Sequence, residues 1–174
     1  MSERVAFLGC GSWGAALSSI LAEKGIKTNF WHRDSRSIKE MENSRKHYLL
    51  PSIEFPNSVE FFSDLNNAIE GVNSIVVAVP SQNVRGVLLN AREKISKSKC
   101  IINIAKGIEN DSLMTMSEVI NDVLKNKSNI VALDWYMPKQ LQLALKKRKI
   151  QTHLCPINIS SLKKMKLKKF DLIT

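Results

Sequence analysis

Gly9-Cys10-Gly11-Ser12-Trp13-Gly14 sets three glycines at the spacing G-x-G-x-x-G, a pattern suited to holding a pyrophosphate. Gly9 permits a tight turn out of a strand. Gly11 lets the main chain approach the phosphates, and Gly14 lets the next helix pack closely on the strand. Amides from Ser12 onward, at the start of that helix, present donors and partial positive charge to an anion. The glycines alone are a weak signal. Here they follow the apolar run RVAFLG (4–9) and open the helical run SWGAALSSILAEKG (12–25), which is the context a dinucleotide site requires. Trp31-His32-Arg33-Asp34 ends the next apolar run. An acidic residue there binds ribose hydroxyls and an arginine suits a 2′-phosphate, so Arg33 favours NADP while Asp34 keeps NAD open. The blander alternative is a solvated Arg33/Asp34 turn, and His32 reads as a turn residue. Pro80-Ser81-Gln82 and Lys106-Gly107-Ile108-Glu109 each follow a later apolar run. Lys106 either holds a phosphate as a point charge or is an ordinary surface lysine.

These residues need a frame that brings distant turns together. The runs 4–9, 27–31, 59–64, 73–80, 100–107 and 129–133 have the length and apolarity of strands. Between them, residues 12–25, 35–47, 64–71, 82–95 and 111–126 read as helices. Gly25 suits a helix end, and Asp111 or Ser112 suits the cap of the last helix. Strands alternating with helices predict an α/β fold, a doubly wound parallel sheet of Rossmann type. Such a sheet binds ligands outside the carboxyl ends of its strands, where the residues named above stand.

Composition narrows the class. The apolar run SIVVAV is strand-sized, far short of a membrane span. MSERVAFLGCGSWG lacks the basic start and long apolar core of a signal peptide. Cys10, Cys100 and Cys155 are odd in number and far apart. They suggest neither a disulfide framework nor a metal site, and point to a reduced cytoplasm. The net charge of +10 is unevenly spread: residues 1–133 carry +2, and residues 134–174 carry +8. All seven glycines precede residue 108. A nearly neutral body therefore leads into a basic, glycine-free tail.

LGCGSWGAAL, WHRD, HYLLP, VVAVPSQNVR and AKGIE, in this order and spacing, resemble the bacterial NAD(P)-dependent glycerol-3-phosphate dehydrogenases. The resemblance covers residues 3–133. Trp13 inside the glycine loop and the Lys-Gly-Ile-Glu stretch are its most specific parts, and they argue against other Rossmann reductases. It implies a two-domain enzyme that moves hydride between NAD(P)H and dihydroxyacetone phosphate. The product is sn-glycerol 3-phosphate, a phospholipid precursor. It also implies that Gly9, Gly11, Ser12, Trp13, Gly14, Arg33 and Tyr48 contact NADP or NAD, and that Lys106 contacts both cofactor and substrate phosphate. The implied partner is thus a small molecule.

From residue 134 the family pattern is lost. Asp134-Trp135-Tyr136-Met137-Pro138 stands where the family has a Ser-Gly-Pro-Ser/Thr loop, and the helical domain with its catalytic lysine does not follow. The expectation is an incomplete Rossmann domain, 1–133, with a divergent basic tail, 134–174, and at most cofactor binding. The genetic code offers a cause. Codons for Tyr136-Met137-Pro138, read from the last base of the tyrosine codon, give His or Tyr and then a forced alanine. Through Leu145 the same frame permits Val-Ala-x-Gly-Leu, the family's continuation. A small deletion near codon 134 is expected, and the gene sequence over codons 133–146 checks it: a stop or a forbidden glycine in that frame refutes it. The alternative is a selected tail. LKKRK (145–149) and LKKMKLKKF (162–170) interleave basic and apolar residues, as segments that contact nucleic acid or an anionic membrane do.

Overall fold

A computed structural model of the chain describes residues 3–95, 99–125 and 129–132. The expectations for the tail, including both basic segments and Cys155, fall outside these residues. In chain order the elements are β1 (Arg4–Leu8), α1 (Ser12–Glu23), β2 (Lys27–Trp31), α2 (Ser35–Ser44), β3 (Lys46–His47), β4 (Leu50–Glu54), β5 (Val59–Phe62), α3 (Leu65–Ala68), β6 (Ser74–Val77), α4 (Ser81–Ala91), β7 (Cys100–Asn103), α5 (Met116–Leu124) and β8 (Asn129–Ala132).

Six strands form one sheet in the order β5-β2-β1-β6-β7-β8, and every pairing in it is parallel. This is the doubly wound Rossmann-type sheet that the alternation predicts. The order reverses at β1. The chain moves outward to β2 and β5, then crosses back to β6 on the other side. Leu8 pairs with both Trp31 and Val77, and Val77 pairs with Asn103. These four residues make one row at the carboxyl edge. The row is sealed by the Gly9 amide donating to Trp31 O (3.1 Å), Ala78 to Leu8 O (2.8 Å) and Ile104 to Val77 O (3.1 Å).

Alternate residues of each strand serve opposite faces, as the pleat demands. Ala6, Leu8, Ile75, Val77 and Ile101 join one buried cluster with Val84 and Leu88 of α4 and Val119, Ile120 and Val123 of α5. Phe7 and Phe30 are also fully buried, outside that cluster. Sheets buried on both faces read as continuous apolar runs, which is why the strands were plain in the sequence.

Several boundaries depart from the sequence reading, among them β6, which ends at Val77, and α4, which ends at Ala91; three others have a visible cause. The helix expected over 35–47 stops at Ser44, because Arg45 takes a left-handed conformation (φ 56°). Its guanidinium donates to the carbonyls of Phe55 (3.2 Å), Val59 (3.1 Å) and Pro56, and lies 5.0 Å from the Phe61 ring centre. Residues 46–54 then form an antiparallel hairpin, β3–β4, that local spacing did not reveal. The last helix is capped by Thr115, not by Asp111 or Ser112. The Thr115 side chain accepts from the Glu118 amide, and the Glu118 carboxylate accepts from the Thr115 amide (2.7 Å), a reciprocal capping box. Finally β7 ends at Asn103, not at residue 107. The buried Asn103 side chain accepts from the Ala105 amide (3.0 Å) and turns the chain.

Candidate functional site

A cleft of about 850 Å3 opens at the carboxyl edge of the sheet, between the turns that follow β1, β2, β6 and β7. Its lining includes Gly9, Cys10, Gly11, Trp13, Gly14, Arg33, Tyr48 and Lys106. Seven of the eight residues singled out from the sequence therefore face one space. Ser12, the eighth, begins α1 and is exposed, but does not line the cleft. His32 does line it, while its Nδ1 accepts from the Asp34 amide (3.2 Å), so it serves the turn as well.

The three glycines differ physically. Gly9 has φ +115°, and a Cβ there would lie 2.8 Å from Ala78 C, Ala78 O and Val79 N. Main chain packs on main chain at this point, so no side chain fits. A Cβ on Gly14 would lie 3.0 Å from Gly9 O and 3.2 Å from the Ala78 Cβ. The start of α1 is thereby seated against the strand ends. Gly11, the N-cap of α1, has an ordinary φ of −66°, and a Cβ there meets nothing within 4 Å. Space rather than strain distinguishes Gly11. This open flank beside helix amides fits an anionic group approaching the main chain.

Arg33 and Asp34 separate in the structure. Arg33 is exposed and lines the cleft. Asp34 is the N-cap of α2: its carboxylate accepts from the amides of Arg36 (3.2 Å) and Ser37 (3.4 Å) and from the Ser37 hydroxyl (2.7 Å). These bonds hold its pKa below the usual carboxylate value, the Ser37 hydroxyl contributing most. The acidic candidate is thus committed to the helix, and the basic one faces the ligand space.

Tyr48 and Cys10 meet across the cleft floor, with 3.4 Å between the hydroxyl and Sγ. That contact is the main cause raising Tyr48 to about 12. Burial raises the Cys10 thiol as well, so both groups are neutral near pH 7.

Lys106 is exposed on the turn after β7. The following loop is held by a network centred on Arg85, a residue that the sequence reading did not single out. Arg85 of α4 donates to both oxygens of Glu109 (2.9 and 3.1 Å) and also reaches Asp122 of α5. Ser112 donates to the same carboxylate. Gln82 donates to Ile108 O (2.8 Å) and accepts from the Asn110 amide (3.0 Å). The Arg85 guanidinium is the first cause lowering the Glu109 pKa. A carboxyl whose folded pKa is depressed stabilises above its unfolded value, about 4.3 for Glu. That contribution is lost as pH falls through the folded value. Arg85→Met is expected to raise the Glu109 pKa toward the ordinary range, the Ser112 bond still lowering it, and to loosen the loop. Carboxyl NMR titration of Glu109 checks this, and an unchanged titration counts against it.

The lining also includes Ser81, Gln82, Asn83, Gly86 and Asn90 of α4, a polar wall that the sequence reading mostly passed over. Only Pro80-Ser81-Gln82 was legible there, from its place after a strand. Among the described residues no helix is long and apolar enough to cross a membrane.

Comparison of the sequence with known proteins matches it to one family. The family described as NAD-dependent glycerol-3-phosphate dehydrogenase N-terminus matches residues 4–134. Glycerol-3-phosphate dehydrogenase [NAD(P)+] of Anaeromyxobacter sp. (strain K) is 40% identical over 122 residues, covering 70% of this chain and 37% of that relative. The protein of the same name from Carboxydothermus hydrogenoformans is 42% identical over 125 residues, 71% of this chain and 37% of its own. The crystal structure of glycerol-3-phosphate dehydrogenase from Coxiella burnetii superposes with a TM-score of 0.70 at 30% identity, covering 75% of this chain and 40% of that one. The chain thus spans well under half the length of these relatives. On the profile match, the sheet order and the glycine turn, the chain belongs to the NAD-dependent glycerol-3-phosphate dehydrogenase family, and its residues 4–134 are the family's N-terminal domain.

Proposed function

We propose that residues 1–133 bind a nicotinamide dinucleotide in the cleft at the carboxyl edge, and that NADP(H) is preferred to NAD(H). The observation that carries this is the pair at the end of β2: Arg33 lines the cleft while Asp34 is committed to capping α2. The cleft volume lies within the range of roughly 300–1,000 Å3 usual for ligand pockets. Gly11 leaves room for the pyrophosphate beside the first turn of α1. Trp13, 46% exposed, and Tyr48, 43% exposed, offer ring surface at the cleft. Lys106, on the turn after β7, supplies positive charge to the cofactor and to a substrate phosphate.

A nicotinamide cofactor, when bound, supplies or accepts hydride. Family membership supports hydride transfer with dihydroxyacetone phosphate and sn-glycerol 3-phosphate, in the cytoplasm, as the activity of a full-length protein. Within residues 1–133 the side chains at the cleft bind and orient; none is assigned as the acid that serves the reacting oxygen. Residues 134–174 carry a net charge of +8 and have no assigned part in the site. The 174-residue chain is therefore expected to bind NADPH without oxidising it when dihydroxyacetone phosphate is added. Fluorescence titration with NADPH and NADH, followed by the substrate, tests this. Oxidation at an ordinary enzymatic rate overturns the division of labour, and absence of binding overturns the cofactor site. Binding of nucleic acid or anionic vesicles in place of the dinucleotide is the outcome of the tail-centred alternative, which the family match does not favour.

A further inference from the structure

His47 is 1% exposed, yet it stands on the two-residue strand of the hairpin that the sequence did not reveal. Its ring stacks on Tyr48 (4.8 Å, 27°) and meets Phe30 and Phe55 edge-on (6.5 and 6.2 Å). Both ring nitrogens are engaged. Nε2 lies 2.8 Å from the Cys10 carbonyl, and Nδ1 lies 3.2 Å from the Leu49 amide nitrogen. A carbonyl can only accept and an amide N–H can only donate. The partners therefore assign the neutral tautomer with hydrogen on Nε2, which donates to Cys10 O, and a lone pair on Nδ1, which accepts from Leu49.

The bonded carbonyl belongs to the peptide that joins Cys10 to Gly11. That peptide is trans and planar, so its N–H points opposite to its C=O. With the carbonyl drawn to His47, the Gly11 amide is directed away from the hairpin. Gly11 lines the cleft, and its flank is open for 4 Å. The Tyr48 hydroxyl on Cys10 Sγ is a second tie between the same hairpin and the same loop.

We infer that His47 is a positioning residue: through the Cys10 carbonyl it fixes the Cys10–Gly11 peptide, so that the Gly11 amide is presented to the phosphates of the bound dinucleotide. This inference rests on the cofactor reading of the cleft. It assigns the β3–β4 hairpin a role in ordering the glycine loop from outside, across 37 residues of sequence. A loop whose donor is already oriented binds without first losing conformational freedom, which raises affinity.

His47→Gln and His47→Asn in the full chain separate this role from packing. Both remove the ring from Phe30, Phe55 and Tyr48 and are expected to lose stability alike. Glutamine carries its amide nitrogen to where Nε2 stands and keeps the bond to Cys10 O; asparagine is too short. At matched folded fraction, His47→Asn is expected to bind NADPH about tenfold more weakly than His47→Gln. In the ligand-free chain, the 15N order parameter of the Gly11 amide should fall in His47→Asn only. Equal affinity and equal Gly11 order parameters in the two variants overturn the inference. If the native chain binds neither NADPH nor NADH, the cofactor reading fails, and with it the phosphate role. The Gly11 order-parameter comparison then still decides whether His47 orders the loop. If neither variant folds, the 15N spectrum of the native imidazole decides. Hydrogen on Nε2 agrees with the inference, and hydrogen on Nδ1 overturns it.

Discussion

Gly9→Ala is expected to destabilise the chain by roughly 2–5 kcal/mol, from a left-handed backbone and main-chain overpacking together. The loss arises because the new Cβ would stand 2.8 Å from three main-chain atoms of Ala78 and Val79, at φ +115°. No rotamer change relieves a clash with main chain, so β6 or β1 must move. Such a loss is a large part of the roughly 5–15 kcal/mol that holds a typical domain. Gly11→Ala should behave oppositely. Its φ is ordinary and its flank is empty, so stability should stay within about 0.5 kcal/mol of native. Its methyl group would occupy the approach to the α1 amides, and NADPH affinity should fall about tenfold or more. Urea denaturation and NADPH titration of the two variants check the contrast. Equal stability of Gly9→Ala and Gly11→Ala would show that the strand-end packing does not constrain Gly9.

Arg33→Ala is expected to weaken NADPH binding by about 10–100-fold, the scale of lost hydrogen bonds to a charged group, roughly 1.5–3 kcal/mol. NADH lacks the 2′-phosphate, so its affinity should change by less than about threefold on the same grounds. The preference for NADPH should therefore shrink or reverse. Asp34→Ala should act on a different property. It removes the acceptor for Arg36 and Ser37 amides, so α2 should fray while the ratio of NADPH to NADH affinity stays put. Parallel loss of both cofactors in Arg33→Ala would mean that Arg33 acts on general charge rather than on the 2′-phosphate. A changed ratio in Asp34→Ala would return the carboxylate to the ribose.

The sequence by itself determined the frame and the glycine turn. Apolar runs of strand length, separated by helical spacing, place β1, β2, β5, β6, β7 and β8 in a parallel sheet, because burial on both faces leaves a local signature. Gly9 and Gly14 are legible for the same reason: a turn and a close packing each demand the smallest residue at one fixed spacing. The strand-end rule then gathers Arg33 and Lys106 from distant positions to one edge without any knowledge of contacts.

Tertiary structure alone decided the rest. Nothing near Ser44 in sequence stops α2; the carbonyls of Phe55 and Val59 do so, by capturing Arg45. Asp34 and Arg33 are adjacent and equally plausible in a turn, and only the start of α2 turns one inward to the helix and leaves the other to the cleft. The loop after β7 is shaped by Arg85, 24 residues away from Glu109. His47 is an unremarkable residue of the HYLLP stretch until the fold brings it onto Cys10. Local patterns are written by repeating burial and backbone freedom, which act over a few residues. A hydrogen bond between partners 37 residues apart leaves no spacing to read, because the chain between them is free to take any path until the core fixes it.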